Sequence, residues 1–169
     1  MPGRDATPGY RAAAIGLAPL LMVQGLYVRL VTPRLPEPSG ARSGVRGSGP
    51  PLSLLILGDS AAAGVGVTTQ AEALSGRLAA VLGSQFRVSW KLMAQTGNRA
   101  KEIASMLAAA SPERFDAVVT SIGVNDVTHG TELGAWIGQQ GRIAELLRSK
   151  FRAQHIILSS VPPMHLFPA

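Results

Sequence analysis

The chain has 169 residues, 46% of them hydrophobic, which suffices for one domain with a real core and excludes a disordered chain. Its net charge of +6 is uneven: residues 1–50 hold six Arg against Asp5 and Glu37, while residues 51–169 hold ten basic and eight acidic residues and are nearly balanced. No basic patch with interleaved aromatics points to nucleic acid, and the lack of cysteine excludes disulfides, thiolate catalysis and cysteine-based zinc sites.

Residues 12–28 form a 17-residue apolar stretch broken by Pro19 and Gln24, with Arg4 and Arg11 before it and Arg29 after it. A membrane-spanning helix needs about 20 residues, so the stretch is at the short limit. It is long for a signal-peptide core, and no small-x-small cleavage site follows it. Residues 1–32 are therefore read as a hydrophobic leader or membrane anchor, which makes the protein membrane-associated. A cleaved signal, which would export the protein to the periplasm or the outside, and an apolar helix lying on the domain are the alternatives. Arg29, Arg34, Arg42 and Arg46 outnumber the basic residues ahead of the stretch and favour a cytoplasmic domain. Residues 33–51 contain five Pro, four Gly and almost nothing apolar, the composition of an extended or disordered linker. The domain is expected over residues 52–169.

Residues 54–57, Leu-Leu-Ile-Leu, stop abruptly at Gly58-Asp59-Ser60. An unbroken apolar run bounded by glycine predicts a strand buried on both faces, as in a parallel sheet. Small residues follow, so the chain turns sharply and leaves Ser60 uncrowded. Thr69 with Glu72 fits a capping box and predicts a helix to about Leu82. Residues 86–92 alternate, with Phe86, Val88, Trp90 and Leu92 apolar, which predicts a half-buried strand near an edge. Residues 95–98 read as a turn, residues 99–110 as a helix. Residues 116–122 predict a second buried strand, broken at Gly123-Val124-Asn125-Asp126. A long helix capped by Thr131 runs to about Phe151, and residues 155–161 give a fourth strand, stopped by Pro162-Pro163. Alternating strands and helices imply βαβ units and a parallel sheet with right-handed crossovers. Four strands in the order 2-1-3-4 are expected. Trp90 and Trp136 sit on apolar faces and read as core.

Three loops then lie at strand carboxyl ends, the edge where open α/β sheets bind ligands. They carry Ser60, Gly97 with Asn98, and Asn125 with Asp126. Acyl transfer needs a nucleophile and donors for the oxyanion of the tetrahedral intermediate. Ser60 supplies the first; the N–H groups of Ser60 and Gly97 and the amide of Asn125 are candidates for the second. Glycine at 97 lets a substrate approach closely.

G-D-S at 58–60, an isolated Gly at 97 and G-V-N-D at 123–126 resemble the first three blocks of the SGNH (GDSL-type) hydrolases, which are serine esterases and lipases. The spacing, 37 residues from Ser60 to Gly97 and 28 more to Asn125, is also similar. The resemblance covers residues 52–169 and implies a three-layer α/β/α flavodoxin-like fold that hydrolyses small-molecule carboxylic esters through an acyl-Ser60 intermediate. It implies Ser60 as nucleophile and oxyanion donor, and Gly97 and Asn125 as oxyanion donors. Asp59 and Asp126 belong to the motifs as residues that orient loops. Asp59, Asn98 and His165, the last in the loop after the fourth strand, are assigned to substrate binding. No cofactor or metal is implied.

The family's fourth block, a D-x-x-H after a fifth strand, has no counterpart, so the sequence is read as C-terminally incomplete, with its last strand and helix missing and its own activity expected to be weak. Asp126 and His129 have the D-x-x-H spacing but follow Asn125 directly, the wrong place for a base. His155 opens the fourth strand, away from its carboxyl end. Arg99 reads as a solvated helix-start residue or as a contact for an anionic substrate. Two alternatives to an esterase stand: a non-catalytic pseudoenzyme or ester-binding α/β domain, and a phosphate-binding flavodoxin-like module. The second lacks both the P-loop ending and the G-x-G-x-x-G spacing.

Overall fold

A computed structural model of the chain describes residues 8–163, with side chains from Gly16 onward apart from Arg29. The chain divides at Pro36 into two compact units. The first contains a 24-residue helix, α1 (Pro8–Val31), with Pro19 inside it. Among the described residues no helix is long and apolar enough to cross a membrane. The membrane-spanning helix expected over residues 12–28 is thus not found among the described residues. Gly16, Pro19, Gln24 and Gly25 interrupt the apolar run, and it never reaches the length a span demands.

The second unit is built on a five-stranded sheet: β1 (Ser43–Arg46), β2 (Pro51–Gly58), β3 (Arg87–Ala94), β4 (Ala117–Ser121) and β5 (His155–Leu158). The order across the sheet is β1-β3-β2-β4-β5. The strands from β2 to β5 are parallel, in the expected relative order, with Leu54 opposite Trp90 and Ala117, and Gly58 opposite Ala94 and Ser121. The departure is β1. The segment expected to be a linker pairs antiparallel with β3, Gly44 opposite Trp90, and covers the edge that the alternation of β3 had suggested was free. Gly44 admits the Trp90 indole because a Cβ there would lie only 3.2 Å from its Nε1.

Helices α2 (Ser60–Ala63) and α3 (Leu74–Leu82) border one face of the sheet; α4 (Ala100–Ala109) and α6 (Leu133–Ser149) cover the other, and a short α5 (Val124–Thr128) follows β4. The central strand shows why its sequence does not alternate. Leu55 and Leu57 pack with Ile103 and Leu107 of α4 and Ile143 and Leu147 of α6. Leu54 and Ile56 point the other way, into a cluster with Ala62, Ala63, Val88 and Leu92. All four side chains of this run are fully buried, and each contributes about 1.5–3 kcal/mol relative to exposure. Phe115 and Phe151 stack beneath the second layer with ring centroids 6.2 Å apart.

Two helix starts differ from expectation. The Thr69–Glu72 hydrogen bonds form, but within a turn, and α3 begins only at Leu74. Gln70 is drawn into the core instead, where its amide donates to the Ala63 carbonyl and accepts from the Ser75 hydroxyl. The cap of α6 is Glu132, not Thr131; its carboxylate accepts from the N–H groups of Gly134 and Ala135.

Candidate active site

The floor of the site is the carboxyl end of β2. Gly58 is confined between strands: a Cβ there would clash with the Ser121 carbonyl oxygen and lie 2.7 Å from the Ala62 Cβ. The Asp59 N–H donates to that same Ser121 carbonyl at 3.1 Å. Asp59 then caps α2, its carboxylate accepting the Ala61 N–H at 3.0 Å. Ser60 is the first residue of α2 and is half-buried. A first-turn N–H has no partner inside its helix, and among the described residues neither the Ser60 N–H nor its hydroxyl has one elsewhere.

The second loop leaves β3. The Gln95 N–H donates to the Gly58 carbonyl at 3.2 Å, which ties the loop to the floor, and the Asn98 N–H donates back to Gln95. Gly97 between them has φ +87° with open space around it, so a left-handed backbone rather than crowding calls for glycine. The third loop leaves β4 through Gly123, at φ +133°, and enters α5.

Two side chains of α5 join these loops. Asn125 Nδ2 donates to the Asn98 carbonyl at 2.9 Å and lies 3.5 Å from Asp59 Oδ2. Asp126, 4% exposed, accepts the Ala100 N–H at 2.9 Å and so fastens the start of α4 to α5. Burial pushes the Asp59 carboxyl above its ordinary value, and the nearby Asp126 charge adds to the push, against the lowering effect of the Ala61 N–H.

Of the residues singled out from sequence, the fold brings Asp59, Ser60, Gly97, Asn98 and Asn125 to one edge of the sheet. Asp59, assigned to substrate binding from sequence, is 2% exposed, caps α2 through its carboxylate and faces Asn125. Asn98 contributes its carbonyl to Asn125. His165 lies outside the described residues. The Asp126–His129 spacing makes no dyad. The Asp126 carboxylate is turned to Ala100, while the exposed His129 ring shares its Nδ1 with the Asn125 carbonyl at 2.8 Å. His155 pairs with Ala117, at the opposite end of the sheet from Ser121. Arg99 is held by Glu102 at 2.8 Å, and its hydrogen bond and charge bring the Glu102 carboxyl down to about 2.

Sequence reading missed two supports. Gln70 holds the end of α2 from below. Glu37, in the expected linker, binds both the N–H and the hydroxyl of Thr96, next to Gly97. A lone acid among prolines and glycines carries no periodic signal that marks it.

The profile of the family described as GDSL-like lipase/acylhydrolase matches residues 56–169. Among solved structures, that of TesA is 20% identical, with a TM-score of 0.56 over 68% of this chain and 64% of that one. Axe2, an acetylxylan esterase from Geobacillus stearothermophilus, is 17% identical, with a TM-score of 0.45 over 65% of this chain and 59% of that one. The chain thus spans less than two thirds of either. No curated protein matches it. The likeness to TesA supports the α/β fold, and the profile match takes in all three motif loops. This chain belongs to the GDSL-like lipase/acylhydrolase family.

Proposed function

We propose that the chain is a serine ester hydrolase domain in which Ser60 accepts the acyl group of a carboxylic ester. The observation that carries this reading is the tethering of Asn125 between Asn98 and Asp59. A side-chain amide nitrogen has two hydrogens. The Asn98 carbonyl fixes one. The other faces Asp59 only at the outer limit of hydrogen bonding, and is available to an oxygen that becomes negative during reaction. The N–H groups of Ser60 and Gly97 are the two further donors.

In the proposed reaction the Ser60 oxygen bonds to the ester carbonyl carbon, and the carbonyl π electrons move to oxygen. The serine proton passes to a base. Collapse expels the alcohol, which takes up that proton, and leaves acyl-Ser60. Water then repeats the sequence, releasing the carboxylic acid and restoring the serine. Of the described histidines, neither supplies the base: His129 is engaged by Asn125 and His155 lies at the other end of the sheet.

The test is phosphonylation by a fluorophosphonate, mapped by mass spectrometry, with hydrolysis of p-nitrophenyl acetate measured alongside. Ser60 is expected to label before any other serine, and Ser60→Ala to abolish hydrolysis. Another serine labelling as fast, or hydrolysis surviving Ser60→Ala, overturns the reading.

A further inference from the structure

The segment ahead of β2 is bonded to the loop that carries Gly97 and Asn98. Glu37 Oε1 accepts both the N–H and the hydroxyl of Thr96, each at 2.8 Å. Glu37 Oε2 accepts Arg42 Nη1 at 2.8 Å. Arg42 Nη2 donates to the carbonyl of Ala94, the last residue of β3, and the Arg42 carbonyl accepts the Leu92 N–H at 2.7 Å. Between them, Ser39 exchanges backbone hydrogen bonds with the turn before α3: its N–H donates to Thr68 and its carbonyl accepts from Gln70, the residue that supports α2. Residues 37–42 therefore run as a strap from the support of the Ser60 helix to the loop bearing Gly97.

We propose that Glu37 and Arg42 are positioning residues, which hold Thr96 so that the Gly97 N–H and the Asn98 carbonyl keep the directions the oxyanion site requires. This rests on the ester-hydrolase reading of Ser60.

Gly97 is the reason such a strap is needed. It has no side chain, a left-handed backbone and nothing within 4 Å of where a Cβ would stand, so packing does not wedge it in place. Glycine is also the residue with the most conformations to lose. Its geometry is set by the hydrogen bonds on either side: Asn98 to Gln95 after it, Thr96 to Glu37 before it. The Asn98 carbonyl in turn fixes Asn125, so two of the three proposed donors depend on one short loop. The Glu37–Arg42 pair adds little to global stability, because its side chains keep 30% and 41% of their surface exposed. Its effect is local. Burial pushes the Glu37 carboxyl up, but the Thr96 donors and the Arg42 charge outweigh it and hold it below its ordinary value, so it remains an acceptor at neutral pH. Both residues precede residues 56–169, the range that matches the family profile.

The experiment compares Glu37→Ala, Glu37→Gln and Thr96→Val with Arg142→Ala, which breaks an exposed ion pair on α6. Two quantities are read: hydrogen exchange of the amides at 95–98, and Ser60 chemistry as fluorophosphonate labelling with kcat and KM for p-nitrophenyl acetate. In Glu37→Ala, loop exchange is expected to rise at least about tenfold, the factor given by losing a hydrogen bond to a charged group. Labelling and kcat are expected to fall by about 10-fold to 10²-fold, with KM little changed. Glu37→Gln keeps an oxygen for Thr96 and recovers part of the loss. Thr96→Val keeps the N–H bond and, if Glu37→Ala fails to fold, gives a smaller change of the same sign. Arg142→Ala changes neither quantity. Loop exchange unaltered in both Glu37→Ala and Thr96→Val overturns the proposal, as does a loosened loop with labelling at the parent rate. If Ser60 of the unsubstituted chain does not label, the hydrolase reading fails instead. Exchange alone then decides the strap: a loosened loop upholds it and an unchanged one overturns it.

Discussion

Gly58→Ala tests how tightly the floor of the site is built. Gly58 ends the central strand, between Ala94 on one side and Ser121 on the other. An added Cβ would stand 2.7 Å from the Cβ of Ala62 and closer still to the Ser121 carbonyl oxygen. Neither neighbour is the flexible end of a side chain. Relief therefore requires β4 or α2 to move by about 1 Å, in an interior packed too densely to absorb it. The Ser121 carbonyl also accepts the Asp59 N–H, so the same shift stretches that bond. Overpacking of this kind costs about 1–3 kcal/mol. At roughly 4 °C per kcal/mol for a domain of this size, Tm falls by about 4–12 °C. The movement also separates Ser60 from Asn125, and a misplacement of about 1 Å lowers reactivity about 10²-fold. Thermal unfolding followed by circular dichroism measures the first effect and fluorophosphonate labelling of Ser60 the second. A variant melting within about 1 °C of the parent and labelling at the parent rate would refute the reasoning, because it would show that the strand ends can part without consequence.

Asn125→Ala is expected to lower acyl transfer by about 10²–10³-fold with Tm little changed, since the amide acts on charge that develops in the transition state; turnover within about threefold of the parent removes Asn125 from the role. Phe151→Ala empties one half of the Phe115 stack and is expected to cost about 3–5 kcal/mol, read as a lower urea midpoint; a loss below about 1 kcal/mol would mean that the pocket refills. Because burial holds the Asp59 carboxyl above its ordinary value of 3.8, the folded chain takes up that proton before the unfolded chain as pH falls. The resulting stability is fully present below 3.8 and is lost as pH rises through the folded value, so Asp59→Asn should flatten that part of the stability–pH curve; a curve of unchanged shape contradicts the assignment.

The parallel sheet was legible because its central strand announces itself: Leu54 to Leu57 are apolar without alternation, and both faces turn out to be covered. The motif loops were legible for a related reason, since each follows a buried strand at a glycine. Asp59 and Asp126 show where sequence stops. Each is an acid in a motif loop and each is nearly buried, yet one caps its own short helix and the other fastens the next one, a difference set by which N–H lies in reach. Strand β1 carries no local signal at all. Its four residues, Ser-Gly-Val-Arg, are exposed, and the reason they are extended is the unpaired edge of β3, whose partners lie 42 to 48 positions along the chain. The Thr69 box forms only by half and starts no helix: the Glu72 carboxylate accepts the Thr69 N–H, but the Glu72 N–H goes to the Thr69 carbonyl rather than to its hydroxyl, and burial of Gln70 holds those residues in a turn.

The pairing of β1 has a consequence for the order in which the molecule can assemble. The strand emerges from the ribosome ahead of everything it touches. It buries no side chain of its own, and four residues paired with nothing do not stay extended in water. Its partner exists only once β3 has been made and has docked on β2, so the segment synthesised first among the strands is placed after the βαβ units behind it. Until then the outer side of β3 presents a row of free N–H and C=O groups, the kind of template on which nascent chains pair with one another. The interval between docking of β3 on β2 and pairing of β1 with it is when that edge is open to another chain, and when a chaperone that masks strand edges has an edge to protect.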